Sequence, residues 1–192
     1  MATPQWAFKH HRLQYPDSFR LLKLLPSQNT SDKICIDVIE DRFPNAPPYE
    51  ALSYTWGSPG QKRPIYYDGK ILHVTTNCEA ALRQLRLKEE SRMLWIDAIC
   101  IDQDCIEERN HQVGTMGGIY RGAKCVLIWL GEATIESYIA LEIFSRFMSN
   151  YFPKLHISSQ SSSRLLSHLH SNSQPQRLSP SPTLQIQIRR LP

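Results

Sequence analysis

The chain has 192 residues and a mass of 22.2 kDa, room for one domain of ordinary size with a buried core and not for two. Hydrophobic residues make up 41% and charged residues 21%, which excludes a wholly disordered, collagen-like or coiled-coil chain. The net charge of +4 belongs to the C-terminal stretch: residues 153–192 hold five basic groups and no acid, residues 1–152 hold 17 basic against 18 acidic, and no nucleic-acid-binding surface is expected.

Phe19 to Leu25 and Ile34 to Ile39 read as two strands, the second alternating Ile34, Ile36 and Val38 on one face. The turn-rich stretch from Pro26 to Asp32 lies between them, so they are expected to pair as a hairpin or meander. Tyr49 to Trp56 is an apolar and aromatic run that ends in Gly57, Ser58, Pro59 and Gly60, a strand running into a loop. Ile65–Tyr67 and Ile71–Val74 flank Asp68-Gly69, the signal for a tight type I′ hairpin. Thr76 and Glu79 stand at capping-box spacing, so a short amphipathic helix is expected from about Asn77. Met93 to Ile96 reads as a buried strand ending in Asp97.

Asp104 and Glu107 repeat the capping pattern ahead of a long helix, expected to place Ile106, Val113, Met116 and Tyr120 on one side. Gly114, Gly117 and Gly118 interrupt it, each costing about 1 kcal/mol relative to Ala. Either a neighbour packs closely there or the helix frays. Lys124 to Leu130 reads as a fully buried strand closed by Gly131. Ile135, Ile139, Ile143, Phe144 and Phe147 recur at helical spacing, which predicts a last amphipathic helix from about Glu132 to Ser149. Strand, hairpin, helix, strand, helix, strand, helix in succession is the pattern of a right-handed βαβ sheet, so the expected class is α/β, a parallel-sheet core with an N-terminal β-rich addition.

All 18 aromatic residues precede Pro153, and residues 153–192 contain ten Ser, five Pro and five Gln. Such a composition buries too little surface to offset its ordering entropy, and residues 153–192 are expected to form a disordered tail, with the alternation from Leu184 to Ile188 a short strand as the alternative. The abrupt change of composition also fits a truncated product without function of its own. The longest apolar run, Cys125 to Leu130, has six residues against the roughly 20 needed to span a bilayer. Lys9 to Arg12 is followed by no apolar stretch of a secretory signal. Five cysteines at irregular spacings suit reduced thiols better than a disulfide framework or a zinc site. The expected location is cytoplasmic, with no membrane partner.

Four blocks in order carry a resemblance: Tyr49-Glu50-Ala51-Leu52-Ser53-Tyr54-Thr55-Trp56-Gly57; Leu94-Trp95-Ile96-Asp97-Ala98-Ile99-Cys100-Ile101-Asp102-Gln103; Glu108-Arg109 with Gln112-Val113, Met116, Ile119-Tyr120 and Ala123; and Trp129-Leu130-Gly131. Together they resemble the signature of the HET (heterokaryon incompatibility) domain of filamentous fungi, over roughly Phe19 to Phe147, with the domain taken as residues 19–150. The double glycine Gly117-Gly118 departs from the family, which usually keeps a better helix former there. The resemblance implies non-self recognition and cell-death signalling, acting through self-association or other incompatibility proteins. It also implies a distant likeness to TIR domains, some of which cleave NAD.

Ligands of a parallel sheet bind beyond the carboxyl ends of its strands. Ser53, Tyr54, Thr55, Trp56 and Gly57 end one strand, Asp97 ends the next, and Gly131 with Glu132 follows the last, so these groups are expected on one rim. The TIR likeness implies NAD as substrate and a glutamate on the helix after the third strand as the catalytic carboxylate, a place filled here by Glu136 and Glu142. The competing role for Glu142 is a solvated pair with Arg146, four residues on. Glu50 is expected at a strand edge or beside Arg109, and Arg109 beside Asp97 or Asp102, as structural pairs.

Overall fold

The computed structural model describes residues 6–43 and 45–132, and the backbone of residues 155–159 and 183–190. The chain divides into two compact units, Met1–Val126 and Leu127–Pro192.

In the first unit, β1 (Ser18–Leu24) and β2 (Ile36–Arg42) pair antiparallel from Ser18 opposite Arg42 to Leu24 opposite Ile36. The expected hairpin thus holds, but it is no separate addition. β1 also pairs antiparallel with β6 (Arg92–Trp95), and β6 pairs in parallel with β3 (Glu50–Tyr54), Glu50 opposite Leu94 and Ala51 opposite Trp95. The sheet is therefore mixed, in the order β2-β1-β6-β3, where an all-parallel core with an appendage was expected. The reason lies in β1 itself: Phe19, Leu21, Leu22 and Leu24 are all at most 1% exposed, a central strand covered on both faces. β7 (Cys125–Glu132) enters beside the start of β3, where the Lys124 amide donates to the Tyr49 carbonyl at 2.8 Å.

β4 (Lys62–Tyr67) and β5 (Lys70–Thr75) form a hairpin of their own, with Tyr67 opposite Lys70. Asp68 (φ 45°) and Gly69 (φ 73°) both take the positive φ that a type I′ turn needs. α1 (Thr76–Leu85) follows at once and buries Cys78, Ala81, Leu82 and Leu85. Its N-cap is Thr75, one residue before the expected position, with Oγ1 accepting from the Cys78 amide at 3.3 Å. Glu79 turns forward to pair with Arg83, so no capping box closes.

α2 (Asp97–Cys100) is a single turn, and α3 (Ile106–Gly122) is the long helix. Its N-cap is Cys105 with no side-chain hydrogen bond, and Asp102 Oδ1 instead accepts from the Asp104 amide at 3.1 Å. The expected inner face holds only in part: Tyr120 and Met116 are half-buried beside the buried Gln112 and Ile119, whereas Ile106 is 64% and Val113 55% exposed. Polar hooks decide the rotation. Gln112 Nε2 donates to the Ser18 carbonyl at 2.9 Å, and Tyr49 Oη to the Ile119 carbonyl at 2.6 Å. Glu108 forms an ion pair with Arg20, itself 4% exposed on β1, and accepts from the Asp102 amide at 2.8 Å.

β7 alternates and is not wholly buried: Cys125, Leu127 and Trp129 are covered, and Leu130 is 51% exposed. In the second unit, β8 (Leu155–Ser159) pairs antiparallel with β9 (Thr183–Arg190). Both strands lie within residues 153–192, and β9 covers the alternation from Leu184 to Ile188, the strand expected as the alternative. The alternation of Leu184, Ile186 and Ile188 with Gln185 and Gln187 is the period-two pattern that a strand needs, and it outweighs the polar composition there. The helix expected from Glu132 to Ser149 lies outside the described residues, as do Glu136 and Glu142.

Candidate functional site at the carboxyl ends of β3 and β6

The parallel pairing of β3 with β6 brings their carboxyl ends together, and with them the ends of the first two signature blocks. β3 stops after Tyr54 because Thr55 and Trp56 turn outward and Gly57 adopts φ +76°, which a side chain at that position would oppose. β6 stops at Trp95, and its next residues wind into α2, whose first residue is Asp97. Trp56 Nε1 donates to Asp97 Oδ2 at 2.9 Å, closing the rim between the two strands.

Asp97 is held from three sides. Oδ1 accepts from the Ala98 amide at 2.7 Å, and its carbonyl takes Gln103 Nε2 at 2.9 Å and the Ile101 amide at 3.2 Å. Burial pushes its carboxyl above the usual carboxylate range, and the bonds from Trp56 and Ala98 only partly offset this. Trp56 remains 43% exposed, an aromatic plate facing solvent beside a partly desolvated acid. From α1, Asn77 Nδ2 bonds the Thr55 carbonyl and fixes the loop that carries Trp56.

Beneath the rim lies a set of weak acids kept neutral. The Tyr54 hydroxyl is buried beside the Cys78 thiol, and burial drives its pKa far up, with Cys78 and Asp97 adding to the effect. Burial pushes Cys78 up to about 12. Tyr120 is raised by burial and by Asp97; its hydroxyl donates to the Leu52 carbonyl at 3.3 Å, and its ring meets Trp95 edge-on at 5.3 Å. Asp97 is thus set beside a wall of hydroxyls, a thiol and aromatic rings.

The structure thus brings together Ser53, Tyr54, Thr55, Trp56, Gly57 and Asp97 as expected. The side chain of Glu132 lies outside the described residues. The expected pairs of Glu50 and Arg109 are corrected. Glu50 pairs with Arg92, and Arg109 donates to the Gln103 carbonyl at 3.4 Å. Arg92 sits on β6 directly beside β3, and strand neighbours outcompete a partner on a helix that turns Arg109 outward. Sequence reasoning missed Asn77, Cys78 and Tyr120 at the rim. Tyr120 stands in the third signature block and on the expected inner side of α3, a packing position that gives no sign of its reach to the Leu52 carbonyl beside the rim. A cleft of about 790 Å³ between the N-terminal segment and α3, lined by His10, Arg12, Asp102, Cys105, Glu108 and His111 among others, includes none of the rim residues.

The family model of the heterokaryon incompatibility protein (HET) matches residues 49–185. The chain is also 32% identical over 149 residues to heterokaryon incompatibility protein 6, OR allele, of Neurospora crassa, a match covering 71% of this chain and 22% of that relative. The chain belongs to the HET family. It spans about a fifth of the length of that relative. The matched span begins after β1 and β2 and runs past Pro153. No solved structure matches the chain. Among the described residues, no helix is long and apolar enough to cross a membrane.

Proposed function

We propose that this chain is a non-self recognition module of fungal heterokaryon incompatibility, triggering cell death through self-association or through other incompatibility proteins, with the β3–β6 rim as its working end. The observation that carries the rim assignment is the Trp56–Asp97 hydrogen bond, which joins the ends of two signature blocks far apart in sequence. A core ion pair would serve the fold alone. An exposed indole beside a desolvated carboxyl serves recognition, because both groups offer contacts to an incoming partner or ligand. The parallel β3–β6 pair with polar groups at its carboxyl ends is also what supports a TIR-like reading of this part of the fold.

Induced expression of the chain in a filamentous fungus tests this: growth arrest is expected, with Trp56→Ala and Asp97→Asn each abolishing it at equal protein level. Arrest undiminished by both substitutions would remove the rim from the function. A second reading, NAD hydrolysis, draws on the same pair of groups. An aromatic plate suits a flat base, and a carboxylate suits the positive charge that develops as the nicotinamide bond breaks. Nicotinamide release from NAD by the purified chain, lost on Asp97→Asn, is the result that favours it; no release at high protein concentration removes it and leaves the signalling reading intact.

A further inference from the structure

α3 turns most of its circumference to solvent. At 3.6 residues per turn, the side opposite the buried Gln112 and Ile119 carries Ile106 and Glu107 near its start, Val113 and Gly114 at its middle, and Gly117 and Arg121 towards its end. A side chain at Gly114 or Gly117 would meet nothing within 4 Å, so no neighbour among the described residues explains either glycine. A face of this kind, with two exposed aliphatic residues and a bare stretch of backbone, admits a second helix at short interaxial distance.

The charges on that face choose the second helix. Glu107 and Arg121 are equidistant from Gly114, one acid towards the start and one base towards the end. Two copies laid antiparallel about Gly114 set Glu107 of each against Arg121 of the other. The same operation brings Val113 onto the same flank as its symmetry mate, close to the two-fold axis. Parallel pairing would instead oppose like charges at both ends. We infer that α3 is a self-association surface on which two copies of this chain pair antiparallel about Gly114. This rests on the self-association half of the proposed function and supplies its surface. One helix pair buries less than about 1,200 Å², so the contact is of the transient class.

Sedimentation equilibrium of the full chain over a concentration series tests the inference. Wild type is expected to show a monomer–dimer equilibrium that weakens with added salt. Glu107→Arg and Arg121→Glu are each expected to weaken it about tenfold or more, and the double charge exchange to restore it. Both sites of substitution are solvent-facing, and thermal melts followed by circular dichroism should fall by no more than a few degrees, the cost of reversing a charge in the first or last turn of the helix. A dimer indifferent to the single substitutions, or a double exchange that fails to restore it, overturns the α3 surface while self-association stands. A wild-type chain that stays monomeric up to about 1 mM overturns both.

Discussion

Burial acts on Asp97 and on Glu108 in the same direction, and their partners decide opposite outcomes. At Asp97 burial wins, and the carboxyl holds its proton more tightly in the native chain than in the unfolded one, where the ordinary value is 3.8. Native-state stability from this group is therefore greatest below that value and falls as pH climbs through the raised one. Asn at position 97 removes the charge but offers one acceptor where Asp97 uses two, for Trp56 and for the Ala98 amide. In a scanning-fluorimetry series from about pH 7 down to about pH 3, wild type should therefore gain stability relative to Asp97→Asn, and a difference that does not change with pH would overturn the raised carboxyl.

At Glu108 burial also pushes the carboxyl up, but the Arg20 guanidinium and the Asp102 amide outweigh it and leave it below its ordinary 4.5. Its contribution is fully present above that value and is lost as pH falls through the lowered one. Glu50, held by Arg92, follows the same rule. Glu108→Ala strands the Arg20 charge, 4% exposed, without its partner. The expected loss is about 3 kcal/mol or more, read as a fall in urea midpoint with unchanged slope.

The β3-to-rim turn is the element on which the site depends. Gly57 holds φ +76°, and Ala there is expected to cost about 1–2 kcal/mol by thermal melt while loosening the Trp56 loop. An unchanged melting temperature would mean that the loop has a second conformation open to it. Elements of this kind were legible in the sequence because their signals are local: Asp68-Gly69 between apolar runs, the Gly57 to Gly60 punctuation, the apolar run of β6. The rim was legible for the same reason, since strand ends locate themselves. What stayed hidden depends on distant partners. The face that α3 buries is set by Gln112 and Glu108 reaching β1, polar hooks that an apolar periodicity does not register. The Glu50–Arg92 pair follows from β3 lying beside β6, a neighbour relation that only the sheet order supplies.

At the scale of the molecule, the family match begins at residue 49, yet the first unit needs residues that come before it. β1 lies between β2 and β6 and contributes Phe19, Leu21, Leu22 and Leu24, none more than 1% exposed. Each such side chain is worth about 1.5–3 kcal/mol of burial, so the four together are worth roughly 6–12 kcal/mol. That is the size of a whole domain's net stability, about 5–15 kcal/mol. Removing β1 would also strand Glu108 without Arg20 and free the edge of β6 for pairing with other chains. A chain beginning at Tyr49 is therefore expected to give no cooperative melt and to aggregate, whereas the full chain melts cooperatively, both followed by circular dichroism. A cooperative melt from the shortened chain would show that the parallel β3–β6 pair carries the core by itself, and that β1 covers a sheet already stable without it.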